Sequence, residues 1–157
     1  MAERGIRSMT ATGHAVIGTV IAAKIGNPAL AIPIALLSHI AADLFPHWDS
    51  GTNGKNKSRR RMFVESALDV CIGFAVSYVI LFFFFPNTSL IYAFFMIIVS
   101  QSFDRISAPY YIFKIKLLPF EWFYKFQSLT NSRLDKPWGI INQVAVLILI
   151  VALGKLL

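Results

Sequence analysis

The chain has 157 residues, 56% of them hydrophobic, 14% aromatic and only 15% charged. Soluble domains carry about 25% charged residues, and here the apolar residues are gathered into runs, which argues against a soluble globular protein and for membrane spans. The net charge of +7 falls between those runs, which excludes a nucleic-acid surface and fits anionic headgroups and topology setting.

The length suits a single domain, 1–157. The one cysteine, Cys71, excludes an intrachain disulfide. Arg4 and Arg7 ahead of an apolar stretch from Ala15 to Ala23 have the outline of a signal peptide. His14 directly adjoins that stretch and a second apolar run follows at once, so the expectation is a retained first helix.

The first segment, about 12–25, stops at Gly26-Asn27-Pro28, a turn signal. It is short, since a span needs roughly 20 residues. The second, about 28–46, has Pro33 in its first turns and Pro46 at its end. The two read as a tight helical hairpin whose small residues (Gly18, Ala22, Ala31, Ala35, Ala42) permit close approach. A polar stretch from Asp49 to Arg61 reads as an exposed loop. The third segment, about 63–85, is the clearest span and ends in Phe82-Phe83-Phe84-Phe85-Pro86. After Asn87-Thr88-Ser89 comes the fourth, about 90–104. From about 108 to 130, aromatic residues alternate with Lys114, Lys116, Glu121 and Lys125, a mixture suited to a helix lying in the membrane interface. The fifth segment is 138–157. The expected fold is an all-α, polytopic integral membrane bundle of four to five transmembrane helices, with the interfacial segment before the last.

Charge sets the orientation. With five spans and a cytoplasmic N-terminus, Arg4, Arg7, Lys55, Lys57, Arg59, Arg60, Arg61, Arg105, Lys114, Lys116, Lys125, Arg133 and Lys136 all lie inside, and only Lys24 and Lys155 outside. That is a strong positive-inside bias, and the expectation is a multi-pass protein of the inner (plasma) membrane with its N-terminus in the cytoplasm.

The same threading brings eight ionisable groups to the inner ends of the segments: His14, His39, Asp43, His47, Asp49, Glu65, Asp69 and Asp104. Ionisable groups beside lipid are costly and mark function. His39 and Asp43, four apart, share a helix face, as do Glu65 and Asp69. Imidazole with carboxylate is the ligand set of zinc, manganese and non-haem iron. The expected ligands of a divalent metal are His14, His39, Asp43, Asp49 and Asp104, with zinc first and manganese or iron next. His47, Asn142 and Gln143 would support them from behind. A water activated by such an ion, with Asp69 or Glu65 as general base, would hydrolyse an ester or phosphoester.

The runs Thr12-Gly13-His14 and Ser38-His39-Ile40-Ala41-Ala42-Asp43-Leu44-Phe45-Pro46-His47-Trp48-Asp49 resemble a group of small bacterial inner-membrane proteins, the membrane-bound metal-dependent hydrolase family typified by the YdjM and YbcI proteins. Asp69, Asp104 and the Trp138-Gly139-Ile140-Ile141-Asn142-Gln143 stretch extend the resemblance over most of the chain. Through that family's grouping with zinc-dependent phospholipases C and related nucleases, the resemblance implies metal-dependent hydrolysis of a phosphoester. The family pattern carries a further histidine past mid-chain. This sequence has none after His47, and Gln127 and Asn131 stand in that region, so one or two metals are expected rather than three.

The first functional expectation is therefore a membrane-embedded metal-dependent hydrolase acting on a phosphoester or lipid-like substrate at the cytoplasmic face, with membrane lipid as its partner, no nucleic acid, and room for an oligomer. A cation or proton pathway is the second, and requires polar residues continuing to the outer face. A structural protein whose polar cluster only locks helix packing is the third.

Overall fold

The computed structural model describes residues 9–49, 57–130, 132 and 134–157. Arg4, Arg7, Lys55, Asn131, Arg133 and most of the Asp49–Arg61 loop, on which some sequence expectations fall, lie outside the described residues. Among the described residues the chain is entirely helical.

The helices are α1 (Ala11–Lys24), α2 (Pro28–Leu44), α3 (Arg59–Phe84), α4 (Leu90–Ser100), α5 (Ser102–Phe113), α6 (Leu118–Thr130) and α7 (Trp138–Leu156). Local chemistry sets their starts. Thr10, Asn27, Ser58 and Ser89 cap α1 to α4 with side-chain oxygens that accept backbone N–H bonds, as N-cap residues do. Pro28 opens α2, where its missing N–H costs nothing. Lys114 ends α5 in the left-handed conformation, φ 61°.

α1 is the centre of the bundle. Residues 13 to 20 and Ala22 are buried on every face of it, and α2, α3, α4 and α7 all pack on it. A helix buried all round needs neither an apolar stripe nor a polar one. The close crossing of α1 and α4 depends on Gly18, where a Cβ would lie 2.5 Å from Ser100 Oγ and 3.0 Å from the Met96 carbonyl oxygen.

Two helices, α3 and α7, are long and apolar enough to cross a membrane. A third span arises if α4 and α5, bent by 47° at their junction, count as one. The sequence led us to expect four to five. α1 has 14 residues, about 21 Å at 1.5 Å per residue, and is enclosed by its neighbours. α2 is apolar but has 17 residues, and the 90–104 segment is broken at Gln101. The expected interfacial stretch, 108–130, is the second half of α5 followed by α6.

The bundle has two distinct ends. At one, Tyr92 donates to the Ile25 carbonyl (2.7 Å) and Lys155 to the Phe84 carbonyl (3.0 Å). At the other lie the N-termini of α1, α3 and α7 and the C-terminus of α2. Between them, Ala22, Ala31, Ala35, Leu81, Ala93 and Met96 form an apolar core. Large exposed hydrophobics such as Leu37, Leu68, Phe82, Ile91 and Ile148 give the bundle an apolar exterior far beyond the isolated patches of soluble proteins.

Candidate metal centre

His14 stands in the first turn of α1, and that turn is held from three directions. The Asp69 carboxylate on α3 accepts bonds from Ala11 N (2.7 Å), Thr12 N (3.1 Å) and Thr12 Oγ1 (2.7 Å). An acidic group at a helix N-terminus satisfies free amides and complements the helix dipole. Gln101 Nε2 donates to the Ala11 carbonyl (2.8 Å), and Gln143 Nε2 on α7 donates to the hydroxyl of the Thr10 cap.

His39 and Asp43 project from one face of the last turns of α2, and Asp104 from the first turn of α5. The two imidazoles are stacked, ring centroids 3.7 Å apart at 10°. Both Nε2 atoms face both carboxylates. His14 Nε2 is 3.3 Å from Asp43 and 3.8 Å from Asp104, and His39 Nε2 is 3.5 Å and 3.8 Å from the same two residues. His14, His39 and Asp104 each present one ligand atom, all within 4.8 Å of one another, and this group could hold a metal ion. A tetrahedral shell at zinc–nitrogen distances of about 2.0–2.1 Å has ligand–ligand edges of about 3.3 Å. The four nitrogen–oxygen separations, 3.3 to 3.8 Å, lie at or somewhat above that edge.

The donor atoms fit an ion in a second respect. Both nitrogens of His14 and Oδ2 of Asp43 are buried and make no hydrogen bond among the described residues, although buried polar groups are almost always bonded. His39 differs: its Nδ1 lies 2.6 Å from the Ser100 carbonyl oxygen. Nδ1 must carry the proton to donate there, which leaves the Nε2 lone pair directed at the carboxylates, as in metal-binding histidines. The other oxygen of Asp43 accepts from Met9 N (2.7 Å). Asp104 Oδ1 accepts from the buried Gln127 Nε2 on α6 (2.7 Å), and the same amide reaches His39 Nε2 (3.3 Å). Asp43 is sealed, whereas the Asp104 side chain is 18% exposed, so the cage opens on the Asp104 side. There Phe103 stacks on His39 (5.0 Å) and meets Phe123 and Phe126 of α6.

No family model, curated protein or solved structure matches the chain. The resemblance noted above is carried by its motif residues alone.

The remaining expected residues lie close to the cage in other settings. His47 is buried, its Nδ1 2.6 Å from the Phe45 carbonyl oxygen and its Nε2 without a hydrogen bond among the described residues. It lies within electrostatic reach of His14 and Asp43. Its loop is fixed by backbone bonds from Ser132 N to Asp43 O (2.9 Å) and Leu134 N to His47 O (2.9 Å). Asn142 donates to the Pro46 carbonyl (2.6 Å). Gly139 is required beside this loop, because a Cβ there would overlap the Leu134 carbonyl oxygen and come within 2.8 Å of Trp48 N. Asn142 and Gln143 thus hold the backbone that carries the histidines and touch no ligand. Asp49 is buried in the same loop but does not belong to the group formed by His14, His39 and Asp104.

Asp69 and Glu65 have other partners. Both oxygens of Asp69 serve the α1 N-terminus. Glu65 is paired with Lys57 (2.6 Å) and Arg61 (2.8 Å). Ser100 and Phe103 were not foreseen as parts of the cage. Gln127 stands in the region where the resemblance leads one to look for a late ligand, and its amide instead bonds Asp104. On the outer face of α6, Glu121 accepts a bond from Lys125 and holds its ammonium above the ordinary lysine range.

Proposed function

We propose that this protein is a membrane-embedded metal-dependent hydrolase acting on a phosphoester or lipid-like substrate at the cytoplasmic face of a bacterial inner membrane. One observation carries the reading: two imidazole Nε2 atoms and two carboxylates from three different helices converge at metal-ligand spacing, and His14 and Asp43 Oδ2 make no hydrogen bond among the described residues. The resemblance to membrane-bound metal-dependent hydrolases supports the same conclusion.

His14, His39, Asp43 and Asp104 would hold the ion, zinc first by its ligand preference. When bound, a divalent ion polarises a phosphoryl oxygen and lowers the pKa of water. The chain's residues do the rest. Ser100 fixes the His39 tautomer, Gln127 orients Asp104, and Phe103 with its aromatic neighbours keeps bulk water from the open side. Asp69 acts as a positioning residue for α1, and Glu65 as an ion-pair partner, in place of the general-base roles expected from spacing. His47, with a free buried nitrogen near the cage, is the better candidate to accept a proton. The basic residues Lys57, Arg59, Arg60, Arg61 and Lys136 cluster at the end bearing the cage, which supports a cytoplasmic placement.

A cation pathway is disfavoured by the apolar core beyond the cage, formed by Ala22, Ala31, Ala35, Leu81, Ala93 and Met96. The deciding experiment is elemental analysis of detergent-purified protein, wild type against His39→Ala, with phosphodiester hydrolysis measured in parallel. The reading requires bound divalent metal in the wild type, its loss in the variant, and loss of hydrolysis with it.

A further inference from the structure

A groove of about 500 Å³ runs between α3 and α7, over the start of α1. Its volume is in the range of small-molecule sites, about 300–1,000 Å³. The two helices that frame it both begin at the cage end; α3 grades from charged to apolar along its length, and Lys136 just precedes the apolar groove face of α7. On α3, Arg61, Glu65, Leu68 and Ile72 line it, a single helix face at i, i+4, i+7 and i+11. On the α7 side Lys136 stands at the mouth, and Ile140 and Val144 follow below it. Lys57 completes the rim.

The charges do not cancel. Lys57, Arg61 and Lys136 face two carboxylates, Glu65, which pairs with Lys57 (2.6 Å) and Arg61 (2.8 Å), and Asp69, which accepts from α1 amides, so the rim keeps a net positive charge centred on Arg61 and Lys136. Arg59 and Arg60 add exposed positive charge in the first turn of α3. Lys136 sits over the Trp48 ring, 4.0 Å from its centroid, a cation–aromatic arrangement typical of the headgroup level. Inside the groove, Gln143 is only 8% exposed and its Oε1 has no hydrogen-bond partner among the described residues. Leu68 and Ile72 are more than half exposed, at 56% and 53%, an apolar wall with no protein to cover it.

We propose that this groove binds one anionic phospholipid, its phosphate among Lys57, Arg61 and Lys136 and one acyl chain along Leu68, Ile72, Ile140 and Val144. A zwitterionic lipid carries its own cation into a basic rim, and free phosphate makes no use of the apolar wall. The proposal does not rest on the metal-dependent reading.

The test is native mass spectrometry of the full chain in detergent, with phosphatidylglycerol, phosphatidylcholine or inorganic phosphate added. Wild-type protein is expected to retain one phosphatidylglycerol and to lose phosphatidylcholine. Arg61→Gln and Lys136→Gln should each weaken retention about fivefold, the usual contribution of one basic residue near a membrane surface. Ile72→Trp, at a half-exposed position, should block the chain while leaving the rim intact, so phosphatidylglycerol is lost. Excess inorganic phosphate should not displace the lipid. Equal retention of both lipids, unchanged retention by Ile72→Trp, or displacement by phosphate would each overturn the proposal. His39→Ala is expected to retain lipid as the wild type does, which separates this outcome from that of the metal experiment.

Discussion

His39 Nδ1 lies 2.6 Å from the carbonyl oxygen of Ser100, the last residue of α4. A continuous helix would engage that carbonyl with an amide four residues on. At the break, Gln101 N–H bonds back to the Ile97 carbonyl (3.2 Å), and the Gln101 carbonyl accepts from Arg105 N in the new helix (3.2 Å). The 47° bend and the orientation of the imidazole are therefore one feature, because the chain end that leaves the helical ladder is the one that orders the ligand.

The first prediction concerns the ligands. His14→Ala and His39→Ala should abolish stoichiometric divalent metal, read by elemental analysis, and a chelator should lower the thermal midpoint of wild-type protein but not of the variants, since an ion that binds only the folded state stabilises it.

Gln127→Leu removes the donor to Asp104 while leaving every ligand in place. Outer partners of this kind tune metal affinity by about 10–100-fold, and a loss of that size in competitive metal titration is expected. A wild-type affinity would show that the amide does not orient the carboxylate.

Asp69→Asn separates positioning from catalysis. Weakening charge-assisted bonds to the α1 N-terminus should cost about 1.5–3 kcal/mol, the contribution of hydrogen bonds to charged groups, measured by denaturant unfolding in detergent. The pH profile of hydrolysis should keep its shape, whereas loss of a general base would remove a limb.

Gly18→Val places a side chain against Ser100 Oγ and the Met96 carbonyl. Overpacking of this kind costs about 1–3 kcal/mol. It also pushes α4 from α1 and so moves the Ser100 carbonyl from His39; weaker metal binding should accompany the loss of stability.

Glu65→Gln is the contrasting case. Its partners are Lys57 and the exposed Arg61, and pairs of this sort contribute about 0.2–1 kcal/mol. Hydrolysis within a factor of a few of wild type is expected; inactivation would restore Glu65 to the reaction.

The helical class, the turns at Gly26-Asn27-Pro28 and Asn87-Thr88-Ser89, and the convergence of His14, His39, Asp43 and Asp104 were legible because each leaves a local mark: a breaker, a cap, or an i,i+4 spacing at a segment end. The number of spans was not, because hydropathy cannot tell a helix surrounded by lipid from one surrounded by protein, and α1 is the second kind. Asp69 and Glu65 share the spacing of His39 and Asp43, yet spacing fixes only a common face. What that face meets, the α1 amides for Asp69 and two cations for Glu65, is settled by packing. Ser100 acts through its backbone, which no side-chain pattern announces.

The enclosure of α1 has a consequence for biogenesis. The helix bearing His14 precedes all of its walls, α2, α3, α4 and α7, in the sequence, and the cap at Thr10 is secured by Gln143 of α7. The imidazole pair thus takes its mature arrangement only once α7 has joined the bundle, so that ordering of the cage is coupled to the last of these helices to be made.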